Sequence, residues 1–424
     1  MKRRDFLKGS CAALGGTALS PLMSARAAEN GGGTRPPNIV FIFSDDLSYR
    51  DLSFLGQSKF STPNIDRLAR EGMFFENAYV GSPECAPSRA SLMTGMHMGH
   101  CRIRRNNSVR GQEPLLPEDQ TVAEVLKRAG YATCFTGKWG IGLPDTTGVP
   151  HKQGFDYSYG YYDQSRAHTY FPHYLIENGA VRPLPENYGF NMSRLYAYNR
   201  RETDNLDDVR NRYDDQGRLL ADFVEDWKHQ DPRGVTYSED LIQQKALEFI
   251  RAHRSKPFFL YYATQIPHGP TIIPDLAEFR QKPWSLKHRE WAAMIKRLDE
   301  SVGALLDELD KWDLREDTVV FFAGDNGYSA WGYFGRSPWR DDPVFHNKGP
   351  WHRGKFVCTN GGNRVPFLAS WPGTIEPGRS EHVCAMYDIL ETTADLAGVR
   401  PEKATDGISL VPELLDRGRQ REHD

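Results

Sequence analysis

The sequence predicts an α/β fold, a doubly wound, mostly parallel sheet flanked by helices. Three observations carry this. Short, continuous apolar runs recur along the chain. Amphipathic segments with helix-start and helix-stop residues lie between them. Acidic, amide and cationic residues follow directly on the runs, at the strand ends where such a sheet binds its ligands.

The elements follow in order. Residues 1–27 have a basic start, a weakly apolar middle and Ala25-Arg26-Ala27 as a cleavage site, the pattern of a signal peptide. Arg3-Arg4-Asp5-Phe6-Leu7-Lys8 matches the twin-arginine export signal, which implies a periplasmic or extracellular protein. Residues 28–37 are a flexible linker. Asn38–Phe43 is apolar throughout, as expected of a strand buried on both faces. Thr62-Pro63 opens a helix with Ile65, Leu68 and Ala69 inward, and Gly72 stops it. Thr121 and Glu124 form a capping box for a helix that Gly130 ends. Strands are expected at 132–136, 257–263, 318–323 and 365–371, and a long helix from about Leu286 to Trp312. Residues 143–235 lack this rhythm. They are rich in Tyr, Asp, Asn and Arg, and are expected to be an irregular insertion lining a cleft.

Composition narrows the function. The 424 residues carry 12% aromatic and 26% charged side chains, the profile of an ordered globular protein. Net charge is −3, falling to about −7 without residues 1–27, so no nucleic acid is expected as a partner. No apolar stretch after the N-terminus is long enough to span a bilayer, and stable membrane insertion is not expected. Outside residues 1–27 the cysteines are 85, 101, 134, 358 and 384. Five is odd and no C-x-x-C spacing occurs, so at least one thiol is left over.

The polar residues at the strand ends suggest one site. Asp45-Asp46 follow the first run and Asp325-Asn326 follow the run at 318–323. Together they place four oxygen-bearing side chains at one sheet edge, suited to a hard cation such as Ca²⁺ or Mg²⁺. Arg89, Lys138, His268 and Lys355 supply a cationic rim that suits a tetrahedral anion.

Residues 85–95, Cys-Ala-Pro-Ser-Arg-Ala-Ser-Leu-Met-Thr-Gly, resemble the sulfatase signature, in which the Cys is followed by Pro-Ser-Arg and then Thr-Gly. The resemblance runs from about Asn38 to Leu415 and includes Gly137-Lys138-Trp139, Pro267-His268, Gly324-Asp325-Asn326-Gly327, Lys355 and Arg364-Val365-Pro366. It is to the formylglycine-dependent, type I sulfatases of the alkaline-phosphatase-like superfamily, here an exported bacterial member. It implies a catalytic α/β domain over 38–399, with 400–424 beginning a C-terminal region whose small subdomain is short or missing. It implies that a formylglycine-generating enzyme oxidises Cys85 to formylglycine before export, and that Asp45, Asp46, Asp325 and Asn326 hold Ca²⁺, with Mg²⁺ as an alternative. It further implies that Arg89 steadies the nucleophile, that Lys138, His268 and Lys355 hold sulfate, and that His268 or Lys355 protonates the departing alcohol. The implied substrate is a sulfate ester of a carbohydrate.

The chain departs from the family pattern at Gly140, where many relatives have His after Lys-Trp. His168, in Ser165-Arg166-Ala167-His168-Thr169-Tyr170, is expected to fill that vacancy as a base. Two other readings stand beside the sulfatase: a phosphodiester or phosphonate monoester hydrolase of the same superfamily, and a non-catalytic glycan-binding pseudoenzyme.

Overall fold

Seven consecutive residues of β1 (Asn38–Ser44) are buried, because neighbouring strands and helices cover every side of it. The computed structural model describes residues 35–106, 112–187, 236–329 and 341–423. Residues 1–34, and with them the signal peptide and most of the linker, lie outside this set, as does the later part of the expected insertion, 188–235.

Ten strands form one sheet: β1, β2 (Met73–Tyr79), β3 (Ala132–Lys138), β4 (Tyr157–Tyr161), β5 (Tyr174–Glu177), β6 (Ala180–Pro183), β7 (Phe258–Ala263), β8 (Thr318–Gly324), β9 (Phe367–Ser370) and β10 (Gly378–Ala385). Their spatial order is β10-β2-β9-β8-β1-β7-β3-β4-β5-β6. The centre, β8-β1-β7-β3-β4, is parallel in register, with Val40 between Leu260 and Val320. The flanks are antiparallel at β8-β9, β9-β2, β4-β5 and β5-β6, so the sheet is mixed.

The run near 365–371 is a strand, but it runs antiparallel to both its neighbours. The stretch expected to be irregular from 143 onward contains β4, β5 and β6. Gly160 in β4 sits at φ +144°, and a Cβ there would lie 2.0 Å from the Gly137 carbonyl oxygen. This close approach puts a glycine in a segment that otherwise reads as Tyr and Ser, and it hides the strand pattern.

Eight helices among the described residues cover the sheet: α1 (Pro63–Arg70), α2 (Cys85–Thr94), α3 (Val122–Arg128), α4 (Ser238–His253), α5 (Leu286–Lys311), α6 (Asn360–Asn363), α7 (Asp388–Leu396) and α8 (Val411–Leu415). Side chains alternate across the strands into two separate apolar layers. Val40, Ile42, Leu260 and Val320 join Ile65, Trp291 and Ile295 on one face. Ile39, Phe41, Phe259 and Phe321 join Ala90, Val122, Leu126 and Leu390 on the other. The expected capping box is present: Glu124 N donates to Thr121 Oγ1 (3.2 Å) and Thr121 N donates to Glu124 Oε2 (2.9 Å). Among the described residues no helix is long and apolar enough to cross a membrane.

Candidate active site

The C-terminal ends of β1, β8, β3 and β7 and the first turn of α2 meet at one rim of the sheet. Parallel pairing forces the first four together. Asp325 N donates to Ser44 O (2.8 Å), and Asp45 N donates to Ile266 O (3.2 Å), so the residues after β1 lie between those after β8 and β7. Asp46 adopts φ +62°, a left-handed turn that Asp tolerates, and its N–H donates to Asp325 Oδ1 (3.1 Å).

The sequence of α2 explains how Cys85 is presented. Cys85 is the first helical residue and Pro87 sits in the first turn, where a missing N–H costs nothing. Asn106 Oδ1 accepts from Ala86 N (2.9 Å), satisfying one of the turn's orphan donors. Arg89 lies one turn on, on the same face as Cys85. Gly95, at φ +68°, closes the helix against Leu390 and Thr405.

Cys85, Arg89, Lys138, Asp45, Asp325 and Asn326 are all buried at 0% exposure, and Asp46 and Lys355 at 2%. The Cys85 Sγ donates to Asp45 Oδ1 (3.3 Å), reaches Asn326 Oδ1 (3.5 Å) and accepts from Lys355 Nζ (3.0 Å). Lys355 Nζ also donates to Asp46 Oδ1 (2.5 Å), and Lys138 Nζ donates to Asp45 Oδ2 (2.5 Å). Arg89 donates from Nε and Nη2 to Asp325 Oδ2 (3.2 and 2.8 Å) and from Nη1 to Lys138 O (2.8 Å). His268 Nε2 lies 3.4 Å from Asp46 Oδ2, while its Nδ1 faces the Gly269 carbonyl. His168 stacks on His268, with ring centroids 3.8 Å apart and planes 7° from parallel, and its Nε2 is 3.4 Å from Lys138 Nζ. All ten site residues expected from the sequence therefore lie in one cluster. Arg364, from the Arg364-Val365-Pro366 match, stands apart from it: its guanidinium stacks over Trp351 at 4.3 Å.

Three carboxylates face three cations here, so the bare site is close to electrically balanced. Burial opposes ionisation of Asp45, but Lys138, His268, Arg89 and Lys355 outweigh it and hold the carboxyl well below its usual range. Burial and the neighbouring Asp45 push Asp325 up to about 7. Burial lowers the affinity of His268 for a proton, to a pKa of about 4, and acts the same way on His168. Burial, followed by Asp325 and Asp45, raises the Cys85 thiol to about 12. An unmodified Cys85 is thus a neutral thiol and a poor nucleophile at neutral pH.

The donor chemistry fits a hard dication. Asp45, Asp46 and Asp325 carry carboxylate oxygens, and Asn326 Oδ1 already faces Cys85. One ligand atom each from Asp45, Asp46, Cys85 and His268 lies within 4.8 Å of the others at the head of α2, a grouping that shares Asp45 and Asp46 with the four expected ligands. A dication would make the rim cationic and attractive to a sulfate monoester.

The sulfatase family model matches residues 37–399, most of the chain. This chain belongs to the sulfatase family. It is similar to the N-acetylgalactosamine-6-sulfatase of Rattus norvegicus, at 30% identity over 410 residues, which cover 94% of this chain and 69% of that protein. It is also similar to the N-acetylgalactosamine-6-O-sulfatase of Bacteroides thetaiotaomicron, at 31% over 399 residues, 87% of this chain and 74% of that one. Among solved structures it resembles Ps i-CgsB in complex with k-i-k-neocarrahexaose, with TM-score 0.69 and 27% identity, covering 90% of this chain and 77% of that chain. The sulfatase is a sulfuric ester hydrolase with the alkaline-phosphatase-like fold.

Two polar residues of the site were missed from the sequence. Gln164 lies against Gly140. Glu239, in the first turn of α4, supports the segment before His268: its Oε1 accepts from Gln265 N (3.0 Å) and its Oε2 from Thr264 Oγ1 (2.7 Å). A carboxylate capping another element from inside the core leaves no local sequence signal. Burial raises Glu239 from 4.5 to about 7, so the folded chain keeps a proton that the unfolded chain has released. The contribution is fully present below pH 4.5 and is lost as pH rises to about 7, at most about 3 kcal/mol. Glu239→Gln, which keeps the acceptor for Gln265, should flatten stability between pH 4.5 and 7 in denaturant titrations. An unchanged slope would refute this.

Proposed function

We propose that this sulfatase releases inorganic sulfate from a sulfated carbohydrate, a galactose or N-acetylgalactosamine sulfate, using Cys85 converted to formylglycine and a Ca²⁺ or Mg²⁺ ion held by Asp45, Asp46, Asp325 and Asn326. The observation that carries this reading is the placing of the Cys85 side chain, at the head of α2, within 3.0–3.5 Å of Lys355, Asp45 and Asn326. The N-acetylgalactosamine 6-sulfatases of Rattus norvegicus and Bacteroides thetaiotaomicron, among its relatives, support the choice of sugar. Cys85-Ala-Pro-Ser-Arg89 supports maturation by a formylglycine-generating enzyme, and Arg3-Arg4 with Phe6-Leu7-Lys8 supports twin-arginine export to the periplasm or beyond.

When present, the hydrated aldehyde supplies the attacking oxygen and the dication supplies Lewis-acid polarisation. The chain's own residues do the rest. Arg89, tied to Asp325 and the Lys138 carbonyl, fixes the position of residue 85. Asp325, beside residue 85 and held by Arg89, is the carboxylate that draws off the nucleophile's proton. Lys138 and Lys355 form the cationic wall for the sulfate oxygens with the neutral His268 beside them, and Lys355, or His268 once the sulfate charge draws a proton onto it, gives the departing alcohol its proton. His168, neutral and stacked on His268, accepts the proton that must leave before sulfate is expelled.

The test is mass spectrometry of residue 85 in protein co-expressed with the maturation enzyme, followed by sulfate release from defined sulfated sugars beside the matching phosphate esters. Unmodified cysteine with no sulfate release, or faster phosphate than sulfate turnover, would overturn the reading. For His168→Ala we expect roughly 10²-fold slower steady-state release with the first turnover preserved. Equal loss in both phases would remove the assignment.

A further inference from the structure

Gln164 is 5% exposed, yet neither end of its carboxamide meets a partner among the described residues. Its position is well defined. The preceding Asp163 caps the turn, its Oδ1 accepting from Ser165 N (2.7 Å) and Arg166 N (2.8 Å), and the same turn delivers His168 to the site. Across from it, Gly140 stands at φ +76°, where a Cβ would lie 2.6 Å from Gln164 Oε1 and 3.9 Å from Arg89 Cδ. The missing side chain at 140 is what lets the carboxamide reach the neighbourhood of Arg89.

A buried amide without partners weakens the fold, and an apolar side chain of the same length would serve packing better. Its place beside the catalytic rim points to a ligand. Sulfate oxygens only accept hydrogen bonds, so they would leave Oε1 unmatched, whereas a hydroxyl both donates and accepts. We propose that Gln164 binds a hydroxyl group at the sulfate pocket, Oε1 accepting its proton and Nε2 donating to its oxygen. This rests on the function proposed above. The hydroxyl is either a ring hydroxyl of the sulfated sugar or a hydroxyl on the hydrated side chain of residue 85.

The test uses Gln164→Met, close in shape but without polar atoms, with Gln164→Ala as the second variant should the first not fold. Three quantities are read: the Tm of ligand-free protein, the rates on sulfated N-acetylgalactosamine and on a nitrophenyl sulfate that has no sugar, and the calorimetric Kd of the sulfated sugar for protein also carrying Cys85→Ala. We expect an equal or higher Tm with a loss of roughly 10- to 100-fold in kcat/KM. Loss on the sugar alone, with weakened Kd, assigns a sugar hydroxyl. Equal loss on both substrates with Kd unchanged assigns residue 85. Rates and Kd within twofold of the parent protein would overturn the proposal, as would a lowered Tm alone. Should residue 85 prove unmodified, the Kd measurement decides alone: weakening supports Gln164 as a sugar ligand, and no change ends the proposal.

Discussion

Cys85→Ser should lose steady-state sulfate release by at least about 10⁴-fold while keeping the Tm of the parent protein. The two halves of this expectation come from different properties of one position. A serine hydroxyl can donate to Asp45 and accept from Lys355 as the thiol does, so the buried polar contacts survive the change. What it lacks is a second hydroxyl. A hydrated aldehyde can expel sulfate by collapsing back to the carbonyl, whereas a serine sulfate ester has no such exit. At most one equivalent of alcohol per protein should therefore appear, followed by silence, and the protein's mass should rise by one sulfo group. Multiple turnovers at a rate near the parent's would mean that residue 85 is not the nucleophile, and the proposed mechanism would be wrong at its first step.

The acid pairs after β1 and β8 were readable because a strand buried on both faces has no reason to end in consecutive polar side chains unless its end is used. The framework of α2 was readable for a similar reason: Pro87, Arg89 and Gly95 each answer a local backbone or facing requirement. Pairing direction was not. Phe367–Ser370 has the same apolar content as a parallel strand, and only the connection to it decides that it runs antiparallel. The hidden strand β4 has a different cause, since Gly160 is imposed by close approach to Gly137 rather than by any strand preference. Within the site, His168 could be named because an imidazole is a rare side chain with obvious chemistry. Gln164 could not, because an amide acquires meaning only once its burial and missing partners are seen.

Lys138→Met should be the most destabilising single change at the rim, and the one that a dication most fully reverses. Lys138 is fully buried at the end of β3, with Nζ 2.5 Å from Asp45 Oδ2. Methionine fills nearly the same space without the charge, so packing is kept and Asp45 loses its nearest cation, keeping Arg89 at 3.8 Å and the weaker field of Lys355. Removing one partner of a buried pair typically costs 3–5 kcal/mol, roughly, because the other charge stays buried and uncompensated. In chelator we therefore expect the variant to unfold at markedly lower denaturant than the parent. Calcium should then restore more stability to the variant than it adds to the parent, because the carboxylate it binds is no longer neutralised by Lys138. At a hundredfold excess over Kd the restoration is about 2.7 kcal/mol. Activity should not return with it, since the ammonium facing the sulfate oxygens is still missing. A calcium response no larger in the variant than in the parent would place the ion away from Asp45, and the grouping of Asp45 with Asp46, Asp325 and Asn326 as one metal centre would have to be abandoned.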